Sequence, residues 1–334
     1  MHADMHVAVI GAGGIGRAYL DVLEKSPQAR LSVVADAHPE TRERIAQEYG
    51  VPTVATHREL GDVDAAIVCT PPSTHPEITM HLLRNGIPVL CEKPLAIDLA
   101  DARAMASAAE ESGVLLTMAS KFRYVPDVIA TKSLINSGIL GDIVLYENTF
   151  ASVVEMRDRW NADPELSGGG VLIDNGTHSL DIARYLLGPI DHVLAVEGHR
   201  IQRLPVEDTV RVFFRSVSDV TGTIDLSWSI RKELDSYVDI YGSKGTVQIG
   251  WRTSRFRQHN SSEWIEFGSG YSKMESIGAQ VQNFLDAIDG RDKLLIGAGD
   301  GIASVEVVEA AYRSLRANNW TEVSSPASPM VEIA

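Results

Sequence analysis

The sequence predicts an α/β protein: a doubly wound parallel sheet, followed by an α/β domain built on a large, mostly antiparallel open sheet. Three observations support this. A Gly-rich turn follows the first apolar run, within residues 6–20. Apolar runs and helical stretches then alternate up to about residue 121. From Ile143 onward, long runs of alternating apolar and polar residues follow one another. Repeated βα units require a parallel sheet, whereas successive strands indicate antiparallel pairing. We assign residues 1–121 and 122–334 to the two domains.

The Gly-rich turn has the spacing of a dinucleotide-binding loop. Gly11, Gly13 and Gly16 complete a G-x-G-x-x-G pattern, with Gly14 and Ile15 between them. In a strand–turn–helix, such glycines allow a tight turn and bring free helix N–H groups close to a pyrophosphate. A Gly-rich turn without a ligand is the alternative on this motif alone.

An acidic residue ends the second apolar run. Asp36 lies twenty residues after Gly16, where a dinucleotide fold places the carboxylate that accepts hydrogen bonds from the adenosine ribose. A carboxylate there would repel a 2′-phosphate, so the sequence predicts NAD as the cofactor. NADP stays open if Arg42 or Arg44 reaches back toward that position.

The remaining helices and strands are predicted from the Pro and Gly residues that bound them and from the periodicity of apolar residues. In the first domain we expect strands at 65–69, 88–91 and 114–118 and helices at 39–49, 75–85 and 99–112. In the second we expect a helix at 125–137, strands at 143–154, 192–202, 209–215, 220–230, 236–241 and 246–249, and closing helices at 273–289 and 302–317.

Composition narrows the function classes. The 334 residues are 44% apolar and 22% charged, as in ordinary globular proteins, and the net charge of −15 disfavours a nucleic-acid partner. No apolar run is long enough for a membrane span, and residues 1–4 lack the layout of a secretory signal, so we expect a cytoplasmic protein. Cys69 and Cys91 are expected to be buried thiols on neighbouring strands, and no metal-binding motif is present.

Two further strand ends carry candidate functional residues. In an open α/β sheet, ligands bind beyond the carboxyl ends of the strands. An adjacent Glu-Lys pair at a buried strand end requires partners, and Lys93-Pro94 can form a cis peptide bond. A well-built βα loop without a ligand is the alternative for the first of these ends. The residues concerned are Thr70, Pro71, Pro72 and His75 at one end and Glu92, Lys93 and Pro94 at the other.

A polar stripe lies on a helix predicted to end at Gly188. Asp174, His178, Asp181 and Tyr185 fall at helical spacing on one side, and three glycines at 168–170 precede them. A solvated helix face is the alternative interpretation. The single His between two acids, next to glycines that permit a close approach, favours a functional site.

Taken together, these motifs resemble the glucose–fructose oxidoreductase/inositol dehydrogenase (Gfo/Idh/MocA) family over nearly the whole chain. The resemblance implies a Rossmann domain and an α/β domain that carries the substrate cleft and often an oligomer interface, hence a homo-oligomer such as a dimer or tetramer. It also implies that Lys93, Asp174 and His178 form the catalytic trio. His178 would take the hydroxyl proton, Asp174 would orient the imidazole, and Lys93 would donate to the reacting oxygen. The strand ends at 70–75 and at Glu92 and Lys93 would touch the cofactor.

Substrate contacts are less clear from sequence. Arg123, Tyr124, Trp160 and Tyr271 are candidates, because an aromatic ring beside hydrogen-bonding groups suits a polyol. Asn161 is a further candidate, although many relatives have Arg at that position.

A loop rich in arginine leaves a second substrate class open. Arg157 and Arg159 lie in the same stretch as Trp160, and guanidinium groups could bind a phosphate or nucleotide carried on the sugar. A solvated charged loop is the alternative.

The sequence thus predicts an NAD-dependent enzyme that transfers a hydride between nicotinamide and a secondary alcohol of a cyclitol or sugar, in either direction. Two alternatives remain: a glycosidase-type or other non-redox enzyme that recycles tightly bound NAD, and a non-catalytic NAD-sensing regulator.

Overall fold

A computed structural model describes residues 5–323, so the predictions for residues 1–4 and for the end of the second domain lie outside the described residues. The chain forms two compact units. The first extends to Lys121 and also contains Lys273–Ile302; the second contains Phe122–Ser272 and the chain from Ala303 onward. No helix within residues 5–323 is long and apolar enough to cross a membrane.

The first unit confirms the predicted doubly wound sheet. Its six strands are parallel and lie in the order β3-β2-β1-β4-β5-β6. The strands are β1 (Met5–Ile10), β2 (Ala29–Ala35), β3 (Thr53–Val54), β4 (Ala65–Val68), β5 (Val89–Glu92) and β6 (Leu116–Ala119). The helices are α1 (Gly14–Glu24), α2 (Pro39–Tyr49), α3 (His75–Arg84), α4 (Leu99–Ser112) and, from later in the chain, α8 (Lys273–Ile288).

Helix boundaries in this unit follow local chemistry. Pro39 occupies the first turn of α2, and Gly50 ends that helix in the left-handed region, at a φ of 65°. The side chain of Asp98 caps α4, which ends at Gly113 in the same conformation. Cys69 and Cys91 are buried free thiols at neighbouring strands, as expected, and burial raises the pKa of both.

One segment differs from the predicted division into two consecutive domains. Helix α8 contributes Ile277, Val281, Phe284 and Leu285 to the hydrophobic core of the first unit, where they pack with side chains of α1 such as Tyr19. The apolar face of α8 is visible in the sequence. Its packing partner lies about 250 residues earlier along the chain, so sequence order alone does not show that the helix packs with the first unit.

The second unit confirms the predicted large, mostly antiparallel sheet. In the part of this unit that the structure describes, nine strands lie in the order β14-β13-β12-β11-β7-β10-β9-β8-β15, and only the β10–β7 pair is parallel. They are β7 (Ile143–Ala151), β8 (Ile190–Glu197), β9 (Thr209–Ser216), β10 (Thr221–Ser227), β11 (Ser236–Gly242), β12 (Gly245–Gly250), β13 (Ser254–Gln258), β14 (Ile265–Gly268) and β15 (Thr321–Glu322). The sequence analysis missed β13, β14 and β15, which are short.

The strand predicted at 192–202 ends early for a local reason. Strand β8 stops at Glu197, and the backbone N–H groups of Ile201 and Gln202 donate to the carboxylate of Asp208. The Asp208 carboxylate thus accepts the hydrogen bonds that a neighbouring strand would otherwise accept, and the chain forms a loop here.

Helices cover one face of this sheet. They are α5 (Pro126–Asn136), α6 (Pro164–Ser167), α7 (Val171–Leu187) and α9 (Ala298–Ala317), and α7 packs on β7, β9 and β10. Inward-facing residues such as Tyr146, Phe214 and Ile224 form the core with α7. The strand residues between these inward-facing ones include exposed apolar side chains, among them Leu145 and Val196.

Candidate active site

The Gly-rich turn has the shape needed for a dinucleotide phosphate. Gly11 has a φ of +89°, and a Cβ there would lie 2.8 Å from the carbonyl oxygen of Cys69; a Cβ on Gly16 would lie 2.0 Å from the oxygen of Gly11. Open space faces Gly13 and Gly14 instead, and α1 begins there without a side-chain cap. Close packing fixes the turn from behind, while its exposed side presents helix N–H groups, so these residues fit an NAD pyrophosphate.

Asp36 lies against this turn at the end of β2. Its carboxylate accepts hydrogen bonds from the backbone N–H groups of Ala12 and His38, each at 2.9 Å. A carboxylate can accept about four hydrogen bonds, so acceptor sites remain for ribose hydroxyls. The guanidinium of Arg42 donates to the carbonyl oxygens of Asp36 and Ala37, at 2.7 and 3.1 Å, and therefore lies at the same strand end.

The two predicted strand-end loops are joined by His75. Its imidazole is fully buried, with Nε2 2.8 Å from the carbonyl oxygen of Thr70 and Nδ1 3.0 Å from that of Pro94. Thr74 donates to Pro71 in the first loop, and Pro72 is buried beneath it. A fully buried ring supports the loops from behind. His75 therefore positions both loops, and a contact between its side chain and the cofactor stays a prediction.

Glu92 finds its partners inside the first unit. Tyr19 donates to Glu92 Oε1 at 2.8 Å, and Gln280 donates to the Tyr19 hydroxyl oxygen at the same distance. The second carboxylate oxygen accepts the backbone N–H of Lys93 at 3.1 Å, and the Lys93-Pro94 peptide bond is cis. All three partner side chains are buried. The network fixes the backbone at the position where the Lys93 side chain, which is half-buried, leaves the strand.

The N-terminus of α7 is built on close backbone contacts. A Cβ on Gly170 would lie 2.0 Å from the carbonyl oxygen of Glu207, and one on Gly169 would lie 1.9 Å from the hydroxyl of Tyr312. The buried carboxylate of Glu207 accepts from the N–H groups of Gly170 and Leu172 and from the Tyr312 hydroxyl. Burial raises the pKa of this carboxyl, and the bonds from Tyr312 and the amides oppose that shift. The predicted close approach at these glycines is to protein backbone and side chain.

Asp174 and His178 lie one turn apart on α7. His178 is 6% exposed and Asp181 is fully buried, while Asp174 and Tyr185 are half-buried. The stripe is therefore not a solvated helix face. Burial of the His178 imidazole on this helix, with the half-buried Asp174 one turn earlier, favours the functional interpretation.

Asp181 has a specific partner. Arg123 donates to it through Nε at 2.9 Å and Nη2 at 2.6 Å, a bidentate pair in which both side chains are almost fully buried. The guanidinium also lies 5.3 Å from the ring centroid of Tyr185. These contacts show that Arg123 anchors α7, and a contact between Arg123 and the substrate stays a prediction.

An aromatic cluster contacts His178 through Phe122. Phe122 meets the imidazole edge-on, with ring centroids 5.1 Å apart, and stacks on Tyr271 at 4.8 Å. The loop that carries Tyr271 is fixed by the buried Asp127, which accepts the N–H of Gly270 at 2.9 Å. The cluster comprises Phe122, Phe150, Tyr237, Trp251 and Tyr271. Of these, the sequence analysis found only Tyr271, because the others come from a turn, three separate strands and their ends and share no periodicity.

The other predicted substrate residues lie elsewhere in the second unit. Tyr124 is buried in the short turn that also carries Phe122. Trp160 is 41% exposed and Asn161 half-buried, on a single 3₁₀ turn before α6. In residues 5–323 no group of three or more His, Cys, Asp or Glu side chains could hold a metal ion.

Comparisons with known proteins agree with this fold. The model of the GFO/IDH/MocA oxidoreductase family, NAD-binding Rossmann fold, matches residues 5–120, and that of the GFO/IDH/MocA C-terminal domain matches residues 128–248. An inositol 2-dehydrogenase of Rhizobium meliloti is 27% identical, over 92% of this chain and 96% of the relative. An oxidoreductase subunit assigned to UDP-kanosamine synthesis in Amycolatopsis mediterranei is 32% identical, over 73% and 75%. The crystal structure of an aldose–aldose oxidoreductase from Caulobacter crescentus superimposes with a TM-score of 0.86 at 26% identity, covering 96% of this chain and all of that one.

Proposed function

Because the chain belongs to the GFO/IDH/MocA family of NAD-binding oxidoreductases, we propose that it is a dehydrogenase for a secondary hydroxyl on the ring of a cyclitol or sugar, or a reductase of the matching ketone. The observation that carries this proposal is the position of His178, a buried imidazole set edge-on against an aromatic cluster. The names of relatives, an inositol dehydrogenase and an aldose oxidoreductase, support the same substrate class.

The residues that would hold NAD lie in the first unit. The turn at Gly11–Gly16 would bind the pyrophosphate, and Asp36 would accept hydrogen bonds from the adenosine ribose. The loops at Thr70–Pro72 and at Glu92–Lys93 would border the nicotinamide end. NAD⁺ bound there would supply the hydride acceptor for oxidation of the carbinol carbon.

The polar side chains handle the proton and the oxygen. His178 takes the hydroxyl proton, since a positioned imidazole is the most common general base in enzymes. Asp174, one turn earlier on α7, orients that imidazole or holds a neighbouring hydroxyl. Lys93 donates to the reacting oxygen and stabilises its developing negative charge. These assignments are part of the proposal.

The aromatic cluster supports a ring-shaped polyol as the substrate. A cyclitol or pyranose has apolar faces and polar edges, and aromatic rings pack well against such faces. Trp251 and Tyr271 are the partly exposed members of the cluster. The relatives described above are named as dehydrogenases and oxidoreductases, so neither an enzyme that recycles bound NAD nor a non-catalytic regulator is favoured.

Two expectations about the whole molecule stay predictions. The first is a homo-oligomer, for which the exposed apolar residues Leu145 and Val196 on the large sheet are the supporting feature. The second is a location in the cytoplasm.

The test is turnover with a panel of inositols, free sugars, sugar phosphates and nucleotide sugars, followed by the absorbance of reduced nicotinamide. We expect oxidation of at least one cyclic polyol with NAD⁺, and loss of that activity in Lys93→Ala while NAD⁺ still binds. Undiminished turnover in Lys93→Ala would contradict the assignment of Lys93. No turnover across the panel in either direction would contradict the proposed function.

A further inference from the structure

The second unit contains an arginine-rich cavity that the proposed reaction does not use. It has a volume of about 680 Å³ and is lined by Arg157, Arg159 and Arg203, together with Ala162, Asp163, Pro164, Gln202, Leu204 and Pro205. A protein with a net charge of −15 thus places three guanidinium groups around one cavity. Its size is in the range of pockets that hold small organic ligands.

These guanidinium groups differ from the other arginines nearby. Arg200 pairs with Glu197 and Arg211 with Asp225, but within residues 5–323 no ion pair joins Arg157, Arg159 or Arg203 to a carboxylate. The one carboxylate in the lining, Asp163, accepts the N–H of Glu165 at 2.9 Å and caps α6. The cavity therefore carries an excess of positive charge.

The exposed Arg203 has an unfavourable backbone conformation. Arg203 has a φ of +54°, in the left-handed region, where a long side chain is unfavourable. The other non-glycine residues with positive φ among residues 5–323 are Asp219 and Asn318, and both of these types enter that region readily. Glycine or asparagine would suit position 203 better, so an arginine there is best explained by its charge.

Hydrogen bonds fix this loop before Arg203, and a buried side chain fixes it after Arg203. The amide nitrogen of Gln202 donates to the carbonyl oxygens of Val154 and Trp228, and its oxygen accepts from the N–H of Met156. On the other side, Leu204 is buried. The cavity wall is thus a defined structure.

Both walls of the cavity continue into the start of α7. The first runs through α6 and the three glycines into the helix that bears Asp174 and His178. The second runs from Arg203 to Glu207, whose carboxylate caps α7 through Gly170. A ligand group bound in this cavity would contact the two segments that lead into the N-terminal turn of α7.

We propose that this cavity binds a phosphate group carried by the substrate, which would then be a phosphorylated cyclic polyol or sugar. The planar guanidinium group matches the oxygens of a phosphate bidentately, and three of them around one cavity are mutually repulsive until an anion lies between them. This inference rests on the proposed dehydrogenase function.

The test compares matched substrates: myo-inositol with myo-inositol 1-phosphate, and glucose with glucose 6-phosphate. We expect a kcat/KM at least about tenfold higher for the phosphorylated member of one pair, as one charge-assisted contact is worth that factor or more. Arg203→Gly should keep the fold, since glycine adopts a positive φ freely, and should bring the ratio close to one. Arg159→Gln should also lower it. Arg316→Gln, at an exposed position on α9, is the matched control and should leave the ratio unchanged.

A binding measurement separates this proposal from the dehydrogenase proposal. The NAD-saturated protein is titrated with the same sugar phosphates and with inorganic phosphate. Binding that Arg203→Gly abolishes and Arg316→Gln preserves would support the site even if no compound is oxidised, in which case the proposed function fails alone. Equal kcat/KM within each pair, or tight binding of inorganic phosphate with no effect on turnover, would overturn the substrate-phosphate assignment.

Discussion

Tyr19 and Glu92, 73 residues apart in sequence, share a hydrogen bond of 2.8 Å inside the first unit, where both side chains are buried. Burial, together with the neighbouring Glu92, raises the pKa of Tyr19 well above its ordinary value. The phenol therefore remains a hydrogen-bond donor throughout the usual range of assay pH. Since Glu92 also accepts the N–H of Lys93, this bond supports the backbone of a proposed catalytic residue.

We expect Tyr19→Phe to lower the free energy of unfolding by about 1–3 kcal/mol, because Glu92 loses a buried donor and Gln280 loses its acceptor. It should also lower kcat through the position of Lys93. Denaturant unfolding and initial rates measure the two effects. Tyr49→Phe is the matched control: its hydroxyl donates to Asp21 at the surface of the same unit, so its removal should change both quantities little. Equal losses in the two variants would contradict the role of Tyr19.

Asp36 should govern the choice between NAD and NADP. We expect Asp36→Ser to lower kcat/KM for NAD⁺ by about tenfold or more, because the carboxylate that accepts the ribose hydroxyls is lost. The relative use of NADP⁺ should rise, since Arg42 already lies at this strand end. The measurement is the ratio of the two kcat/KM values. A ratio that does not move would mean that Asp36 does not contact the ribose.

The cap on α7 gives a prediction about stability and pH. Glu207→Ala should lower the free energy of unfolding by about 2–4 kcal/mol, since buried donors at Gly170, Leu172 and Tyr312 lose their acceptor. Glu207→Gln keeps an acceptor oxygen and should cost less.

The sign of the pH effect follows from the raised pKa of Glu207 in the folded protein. The folded state binds this proton more tightly than the unfolded state, so protonation of Glu207 stabilises the fold. This contribution to the free energy of unfolding is present in full below the pKa of a Glu side chain in the unfolded chain, about 4.3. It is lost as the pH rises through the folded value. The advantage of wild type over Glu207→Gln should therefore be largest in acid and shrink toward neutral pH. An advantage that grows with pH would contradict this account.

Tyr271 should contribute to polyol binding. Tyr271→Leu removes the ring that stacks on Phe122, and we expect KM for the polyol to rise about three- to tenfold while the Kd for NAD⁺ stays unchanged. Trp264→Leu is a suitable control, because Trp264 packs against the guanidinium groups of Arg255 and Arg257 elsewhere in the unit. Similar KM changes in both variants would argue against the cluster as a substrate surface.

The sequence predicted those features whose signals are local. Pro39 and Gly50 gave the bounds of α2, and Gly113 gave the end of α4, because caps and breakers act within a few residues. The spacing of Asp174 and His178 likewise placed both on one helix. Contacts between distant segments have no local sequence pattern that predicts them. One example is the hydrogen bond between Gln280 and Tyr19, which are 261 residues apart.

The same reason applies to two features around the site. Nothing near Arg123 in the sequence shows that its charge is matched by Asp181, 58 residues later, and so it was predicted to face substrate. The stripe on α7 could equally have been a solvated face until burial distinguished the two. Periodicity identifies a face of a helix, whereas its environment depends on what packs against it.

The most direct test of the central claim is the rate of polyol oxidation by His178→Asn between pH 6 and 9. Loss of a general base typically costs a factor of about 10²–10⁴. For His178→Asn we expect a fall in rate of that size near neutral pH and loss of the wild-type pH dependence, while NAD⁺ binding is retained. The control is His259→Asn, which changes an exposed imidazole and should have a rate close to that of the wild type. An unchanged rate and pH profile in His178→Asn would contradict the account.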